Sequence, residues 1–113
     1  MKTQTKKRLL DAFTACQAIE SFVADRTFAD YEQNIMMRSA AERQFEIIGE
    51  ALHQAEVDDP EVADLLPELR RIVGMRNRII HGYDSVDGEL LWQTIQNNIP
   101  LLSKHLAQIL GTE

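Results

Sequence analysis

The chain has 113 residues, of which 44% are hydrophobic, and it contains only 5 Gly and 3 Pro. Length and composition predict a single domain over residues 1–113 with one core, and they exclude a bilayer-spanning segment because no apolar run approaches about 20 residues. The formal net charge of −6 argues against broad, non-specific binding of nucleic acid, which needs an extended cationic surface.

The first predicted helix covers residues 5–24, where apolar residues recur at three- and four-residue steps. The basic residues before it lead into this amphipathic pattern without the apolar core of a signal peptide, so we expect a cytoplasmic protein. The only cysteine, Cys16, lies among the apolar positions and is expected to be a buried thiol. A single cysteine supports neither an intrachain disulfide nor a cysteine-rich metal site, and we expect no metal and no cofactor.

The second predicted helix covers residues 31–55, with Asp30 as a plausible N-cap and Asp25 or Thr27 as competitors. One apolar stripe of this helix repeats at close to heptad spacing, and a second apolar line beside it widens the apolar surface. This pattern favours burial of the helix on two sides, in the bundle and at a subunit contact. On roughly the opposite side, glutamates recur every four residues. These residues are Glu42, Glu46 and Glu50. They form a solvated face, or Glu46 or Glu50 pairs with an arginine of another helix or subunit.

In the second half of the sequence, the residue pattern predicts a short helix, a helix over residues 67–81 and a last helix over residues 87–110. Gly74, inside the first of these long helices, is expected to allow close approach of another helix. Pro100 removes a backbone donor from the last helix and predicts a kink near Gln96. Because no strand pattern or repeat appears, the elements predict an all-α fold, a four- to five-helix up-down bundle.

The segment around Arg76 carries the main functional signal. Four arginines and no acid lie between Arg70 and Arg78, directly after a segment with six acids and no base. Such a compact cationic spot on an acidic protein suits a small anionic target. Arg76 lies in the middle of an apolar helix face, where a guanidinium needs a partner because it cannot lose its charge. The apolar residues of this face are Leu69, Ile72, Val73, Ile79, Ile80 and Tyr83.

His81 lies at the predicted end of the same helix. An imidazole side chain can give or take a proton, while the guanidinium of Arg76 fits a phosphate. Asn77, four residues before His81, is placed to hold the imidazole, and Arg78 lies one turn away. Arg76 and His81 are about 140° apart around an ideal helix, so they meet one ligand within a chain only if the helix unwinds after Ile80.

Cleavage of RNA without a metal ion needs three kinds of group. A base takes the 2′-hydroxyl proton, an acid protonates the leaving oxygen, and a cation stabilises the charged phosphorus centre. One His and one Arg per chain fall short of this set, whereas two copies facing each other across a two-fold axis would supply it. A two-fold interface would also explain an arginine on an apolar stripe, because Arg76 would line a cleft between subunits.

The spacing of Arg76, His81 and Tyr83 resembles the Arg-x4-His-x-Tyr motif of the HepT-like toxins, a branch of the HEPN superfamily. The resemblance covers nearly the whole chain. The similar segments around the motif are Met75-Arg76-Asn77, His81-Gly82-Tyr83-Asp84, Val86-Asp87, Leu91-Trp92 and, in the second helix, Ile48-Gly49-Glu50-Ala51.

This resemblance implies a homodimeric all-α bundle with the motif at the dimer cleft. It implies a metal-independent endoribonuclease in which Arg76 and His81 take the catalytic positions. The helix positions of Asn77 and Arg78 make them supporting residues. The resemblance also implies a type VII-like toxin–antitoxin system, in which a minimal nucleotidyltransferase antitoxin of the MNT type transfers AMP from ATP to Tyr83. The added phosphate and adenine would fill the site and repel an RNA phosphate.

Two other interpretations stay open at the level of the sequence. In one, the protein is a catalytically weak, nucleotide-binding or AMP-accepting partner of a nucleotidyltransferase. In the other, it is a structural bundle without a site, and Arg76 pairs with Glu46 or Glu50 inside one subunit.

Overall fold

The computed structural model describes residues 1–82 and 86–111. In these residues the chain forms seven α-helices and no strand, so the all-α prediction is confirmed. None of the described helices is long and apolar enough to cross a lipid bilayer. The helices, in chain order, are α1 (Thr3–Val23), α2 (Phe28–Gln33), α3 (Ile35–Asp58), α4 (Val62–Leu65), α5 (Leu69–His81), α6 (Gly88–Asn97) and α7 (Ile99–Leu110).

The long helices pack side by side around α1 and α3. Helix α3 contacts α1 along its length and carries α5 on another side, while α7 packs against α1. The predicted stripe of α3 is buried as expected, and each large apolar side chain removed from water contributes about 1.5–3 kcal/mol. The buried residues of this stripe are Met37, Ala41, Phe45, Ile48, Leu52 and Ala55.

The N-terminal part of the second predicted helix is a separate element. The side chain of Thr27 accepts a hydrogen bond from the backbone N–H of Asp30 at 3.2 Å, and the Asp30 carboxylate accepts one from the N–H of Thr27 at 2.9 Å. This capping box makes Thr27 the N-cap of α2, so the choice of Asp30 was wrong. Asn34 then separates α2 from α3. Its side chain caps α3 by accepting a hydrogen bond from the backbone N–H of Met37 at 3.0 Å.

The last predicted helix is two helices that meet at Asn98. Asn98 closes α6 by donating its backbone N–H to the carbonyl oxygen of Thr94 at 2.9 Å. Pro100 lies in the first turn of α7, where its missing N–H costs no helical hydrogen bond. The kink predicted near Gln96 is therefore a full break two residues later.

Helix α6 is held in place by an aromatic cluster with α2. Trp92 lies 6.4 Å from Phe28 and 5.2 Å from Tyr31, measured between ring centroids, and both pairs are tilted. These distances are those of favourable aromatic contacts. The cluster fixes the position of α6, whose N-terminal end faces the end of α5.

Cys16 is fully buried, as predicted. Burial raises the pKa of its thiol, and the nearby carboxylates of Glu20 and Glu68 add to the effect. Because the thiolate is the reactive form, we expect iodoacetamide to modify Cys16 far more slowly in the native protein than in denaturant. Intact-mass measurements over time give both rates, and equal rates with and without denaturant would contradict this placement.

A candidate active site on helix α5

Helix α5 carries every predicted site residue that the structure describes. It runs without interruption from Leu69 to His81, and Gly82 ends it by donating its N–H to the carbonyl oxygen of Arg78 at 3.0 Å. The unwinding after Ile80 that would bring the two catalytic candidates to one ligand within a chain is therefore not present. Tyr83, the third residue of the motif, lies outside the described residues.

Gly49 of α3 makes room for Arg76. A Cβ atom built on Gly49 would lie 2.3 Å from Cβ and 2.5 Å from Cγ of Arg76, so the stem of this side chain lies directly on the backbone of α3. The close approach that was predicted at Gly74 occurs here instead. A Cβ on Gly74 would meet no atom within 4 Å.

The guanidinium of Arg76 is paired within its own chain. Its Nη2 lies 2.5 Å from Oε2 of Glu50, and its Nη1 donates a hydrogen bond to Oδ1 of Asn77 at 2.9 Å. This is the intrachain pair that the structural-bundle interpretation anticipated, with Glu50 as the partner. Glu46 pairs instead with Arg43 at 3.3 Å. The Arg76 side chain keeps 22% of its surface exposed, so it remains accessible at the edge of the pair.

An open cleft of about 510 Å³ lies over this ion pair, lined by α1, α3 and α5. Its charges balance, and apolar side chains such as Ile47 and Ile80 lie between them. In the described part of the chain, the Nε atoms of Arg8 and Arg76 are buried without a hydrogen-bond partner. A mixed surface of this kind suits another protein surface better than a polyanion. The charged lining residues are Arg8, Arg43, Arg76, Asp11, Glu46 and Glu50.

His81 faces a different space. Its exposed side chain lines a groove of about 430 Å³ between α5 and α6, together with Arg78 and Asp87. Arg76 does not line this groove, in agreement with the angular separation expected around the helix. One chain therefore brings Arg78 and His81 together but separates His81 from Arg76.

The described residues contain no group of three or more His, Cys, Asp or Glu side chains arranged to hold a metal ion. The side chains of α5 that can act on a substrate include the imidazole of His81 and the guanidinium groups of Arg76 and Arg78. Sequence reasoning missed Arg8, which enters the cleft from α1. It carries no local signal because only the packing of α1 on α3 places it near Arg76.

Comparison with known proteins adds a second kind of evidence. A family model described as "Ribonuclease HepT-like" matches residues 13–109. "Probable ribonuclease HepT" of Thermococcus cleftensis is 34% identical over 102 residues, which are 90% of this chain and 92% of the relative. "Putative RNase TTE0752" of Caldanaerobacter subterraneus subsp. tengcongensis is 33% identical over 98 residues, 87% of each protein. "Putative RNase MJ1380" of Methanocaldococcus jannaschii is 31% identical over 105 residues, 93% of this chain and 95% of the relative. No solved structure matches the chain.

Proposed function

The chain belongs to the HepT-like ribonuclease family, and from this premise we propose that it is a metal-independent endoribonuclease acting as a homodimer. The observation that carries the proposal is the family match over residues 13–109, which includes the whole Arg-x4-His-x-Tyr motif. The catalytic residues in this proposal are Arg76 and His81. Asn77 supports Arg76 through the hydrogen bond between their side chains.

The cleft over Arg76 is the proposed contact between two protomers. Its balanced charges and its exposed apolar residues, including Ile80 at 40% exposure, are suited to a self-complementary surface. His81 lies about 7.5 Å beyond Arg76 along the helix axis, at the end of α5. Because Arg76 and His81 face different spaces within one chain, the proposal requires a two-fold axis near this end, so that the partner protomer supplies its own copies to a shared site.

The proposed reaction is an internal transesterification. One His81 takes the proton of the 2′-hydroxyl, and the 2′-oxygen attacks the adjacent phosphorus while the bond from phosphorus to the 5′-oxygen breaks. The second His81 protonates this leaving oxygen, and Arg76 stabilises the charge that develops on the phosphoryl oxygens. The products are a 2′,3′-cyclic phosphate and a 5′-hydroxyl. Because one imidazole must be neutral and the other protonated, a bell-shaped pH profile follows.

We further propose that the protein is a toxin. An MNT-type nucleotidyltransferase would neutralise it by transferring AMP to Tyr83. A negatively charged group two residues after His81 would compete with the RNA phosphate for the same cations. Mass spectrometry of the protein co-expressed with a neighbouring nucleotidyltransferase gene should show a gain of one adenylyl group, and this gain should vanish in Tyr83→Phe.

One observation favours the second candidate function, a catalytically weak AMP acceptor. Glu50 already neutralises Arg76 within the protomer, which lowers the positive charge available to a transition state. The deciding test is RNA cleavage by the unmodified protein in EDTA, with light scattering to establish the dimer. Cleavage with 2′,3′-cyclic phosphate ends supports the ribonuclease. No cleavage by an unmodified dimer would leave the AMP acceptor as the function.

A further inference from the structure

The face of α5 opposite Arg76 carries two arginines that the proposed reaction does not use, Arg71 and Arg78, on the same side of the helix as His81. Arg71, Arg78 and His81 lie within about 80° of one another around the helix. Along the helix axis, Arg78 is about 10.5 Å from Arg71, and His81 is about 4.5 Å further. The two arginines therefore form a row that runs along the helix and ends at His81.

This row lines two neighbouring grooves between α5 and α6. The groove of about 430 Å³ that contains His81 adjoins a second of about 450 Å³ that contains Arg71, and both are lined by Arg78 and Leu90. We call the two together the cationic groove. The part beside Arg71 has no acidic residue in its lining.

Gly74 keeps the centre of the cationic groove open. It lies between Arg71 and Arg78 on the same helix face, is exposed, and has no atom within 4 Å of the position of a Cβ. Since a glycine inside a helix costs about 1 kcal/mol against alanine, its place here leaves space at the expense of helix stability. Gly74 therefore adds no side chain to the groove between Arg71 and Arg78.

Arg71 and Arg78 differ in their pairing from the other two arginines of the segment. Both are exposed, and no carboxylate of residues 1–82 or 86–111 forms an ion pair with either. The other two arginines of the segment are paired, Arg76 with Glu50 and Arg70 with Glu56. On a chain of net charge −6, the two unpaired arginines of this segment both face one groove.

We propose that the cationic groove binds the backbone of the single-stranded RNA substrate, with phosphates on Arg71 and Arg78 and the strand leading to His81. This inference rests on the proposed ribonuclease function. The row from Arg71 to His81 spans about 15 Å, enough for a few nucleotides. The acidic remainder of the surface would repel a second strand or a long contact.

The test measures RNA binding separately from cleavage. In a His81→Ala background, the affinity for a fluorescein-labelled single-stranded RNA is measured by anisotropy over a range of salt concentrations. We expect the Arg71→Gln/Arg78→Gln double variant to bind about tenfold more weakly, with a salt slope smaller by about 0.7 for each lost phosphate contact. The matched control is Arg26→Gln/Lys104→Gln, which removes the same charge outside the groove and should change affinity by less than about twofold.

A second variant blocks the groove without changing its charge. Gly74→Leu places a bulky side chain between Arg71 and Arg78 and should weaken RNA binding, while Gly74→Ala, with one methyl group, should bind much as Gly74 does. Thermal unfolding followed by circular dichroism checks that both variants fold. If Gly74→Leu loses affinity for RNA and Gly74→Ala does not, the result supports binding of RNA in the groove.

The outcomes separate this inference from the ribonuclease proposal. If wild-type protein cleaves RNA and the Arg71/Arg78 variant binds RNA like its charge-matched control, the groove proposal is overturned and the ribonuclease stands. The groove would then be a surface for an acidic protein instead. If wild-type protein neither binds nor cleaves RNA, both proposals fail.

Discussion

Loss of RNA cleavage by about 10²- to 10⁴-fold in EDTA is the result we expect for His81→Ala, because that is the usual contribution of a general acid or base. In the proposed dimer both copies are lost at once, so the effect should lie at the upper end of this range. His81 is exposed in the last turn of α5, and the circular dichroism spectrum and the unfolding midpoint should stay unchanged. The measurement is the initial rate on a defined RNA with EDTA present.

His53→Ala is the matched control for this experiment. His53 is also an exposed histidine in a helix, but it lies on α3 and lines neither the cleft nor the cationic groove. Its substitution should leave the rate within about twofold, as surface changes away from a site usually do. Cleavage that persists in His81→Ala at the rate of this control would remove His81 from the mechanism.

The second large effect is expected at Gly49. Its substitution by alanine places a Cβ 2.3 Å from Cβ of Arg76, and neither atom can rotate away because both are attached to helix backbones. Helices α3 and α5 must separate, and overpacking of this kind costs typically about 1–3 kcal/mol. We expect lower stability in urea unfolding, together with lower ribonuclease activity because Arg76 is displaced.

Gly74→Ala is the matched control, and it should raise the stability of the protein where Gly49→Ala lowers it. Both glycines lie inside helices, so both substitutions gain the same helix propensity of about 1 kcal/mol. At Gly74 nothing lies within 4 Å of the new methyl group, and that gain should appear as higher stability. The difference between the two variants therefore isolates the contact between Gly49 and Arg76. Equal stabilisation by both would mean that α3 and α5 are not in close contact there.

The residues of these predictions belong to, or contact, helix α5, which has three different faces. The buried face holds α5 against the core through Leu69, Ile72, Met75 and Ile79. The second face presents Arg76 to the cleft beside Glu50, where we propose the partner protomer. The third presents Arg71 and Arg78 to the cationic groove. Under the two proposals, α5 contributes to stability, to dimerisation and to substrate binding.

Helix periodicity allowed much of the fold to be predicted. The stripes of α1 and α3 are buried where the three- and four-residue spacing placed them, because a helix is formed by local contacts and buries its apolar side. The errors fall at helix ends. Asn34 and Asn98 each end one helix and begin the next. The side chain of Asn34 caps α3, whereas Asn98 makes no side-chain cap and is followed by Pro100 in the first turn of α7.

The helical class, the core stripes and the motif that marks the family could be identified from the amino-acid sequence alone, because each depends on the spacing of residues along one chain. The packed structure was needed to identify the glycine that admits another helix, the glutamate that pairs with Arg76, and the different spaces that Arg76 and His81 face. Gly49 and Glu50 are 26 or more residues from Arg76 in sequence, and they meet it because α3 and α5 pack side by side. Such contacts depend on the rotation and offset of two packed helices, which no local pattern encodes.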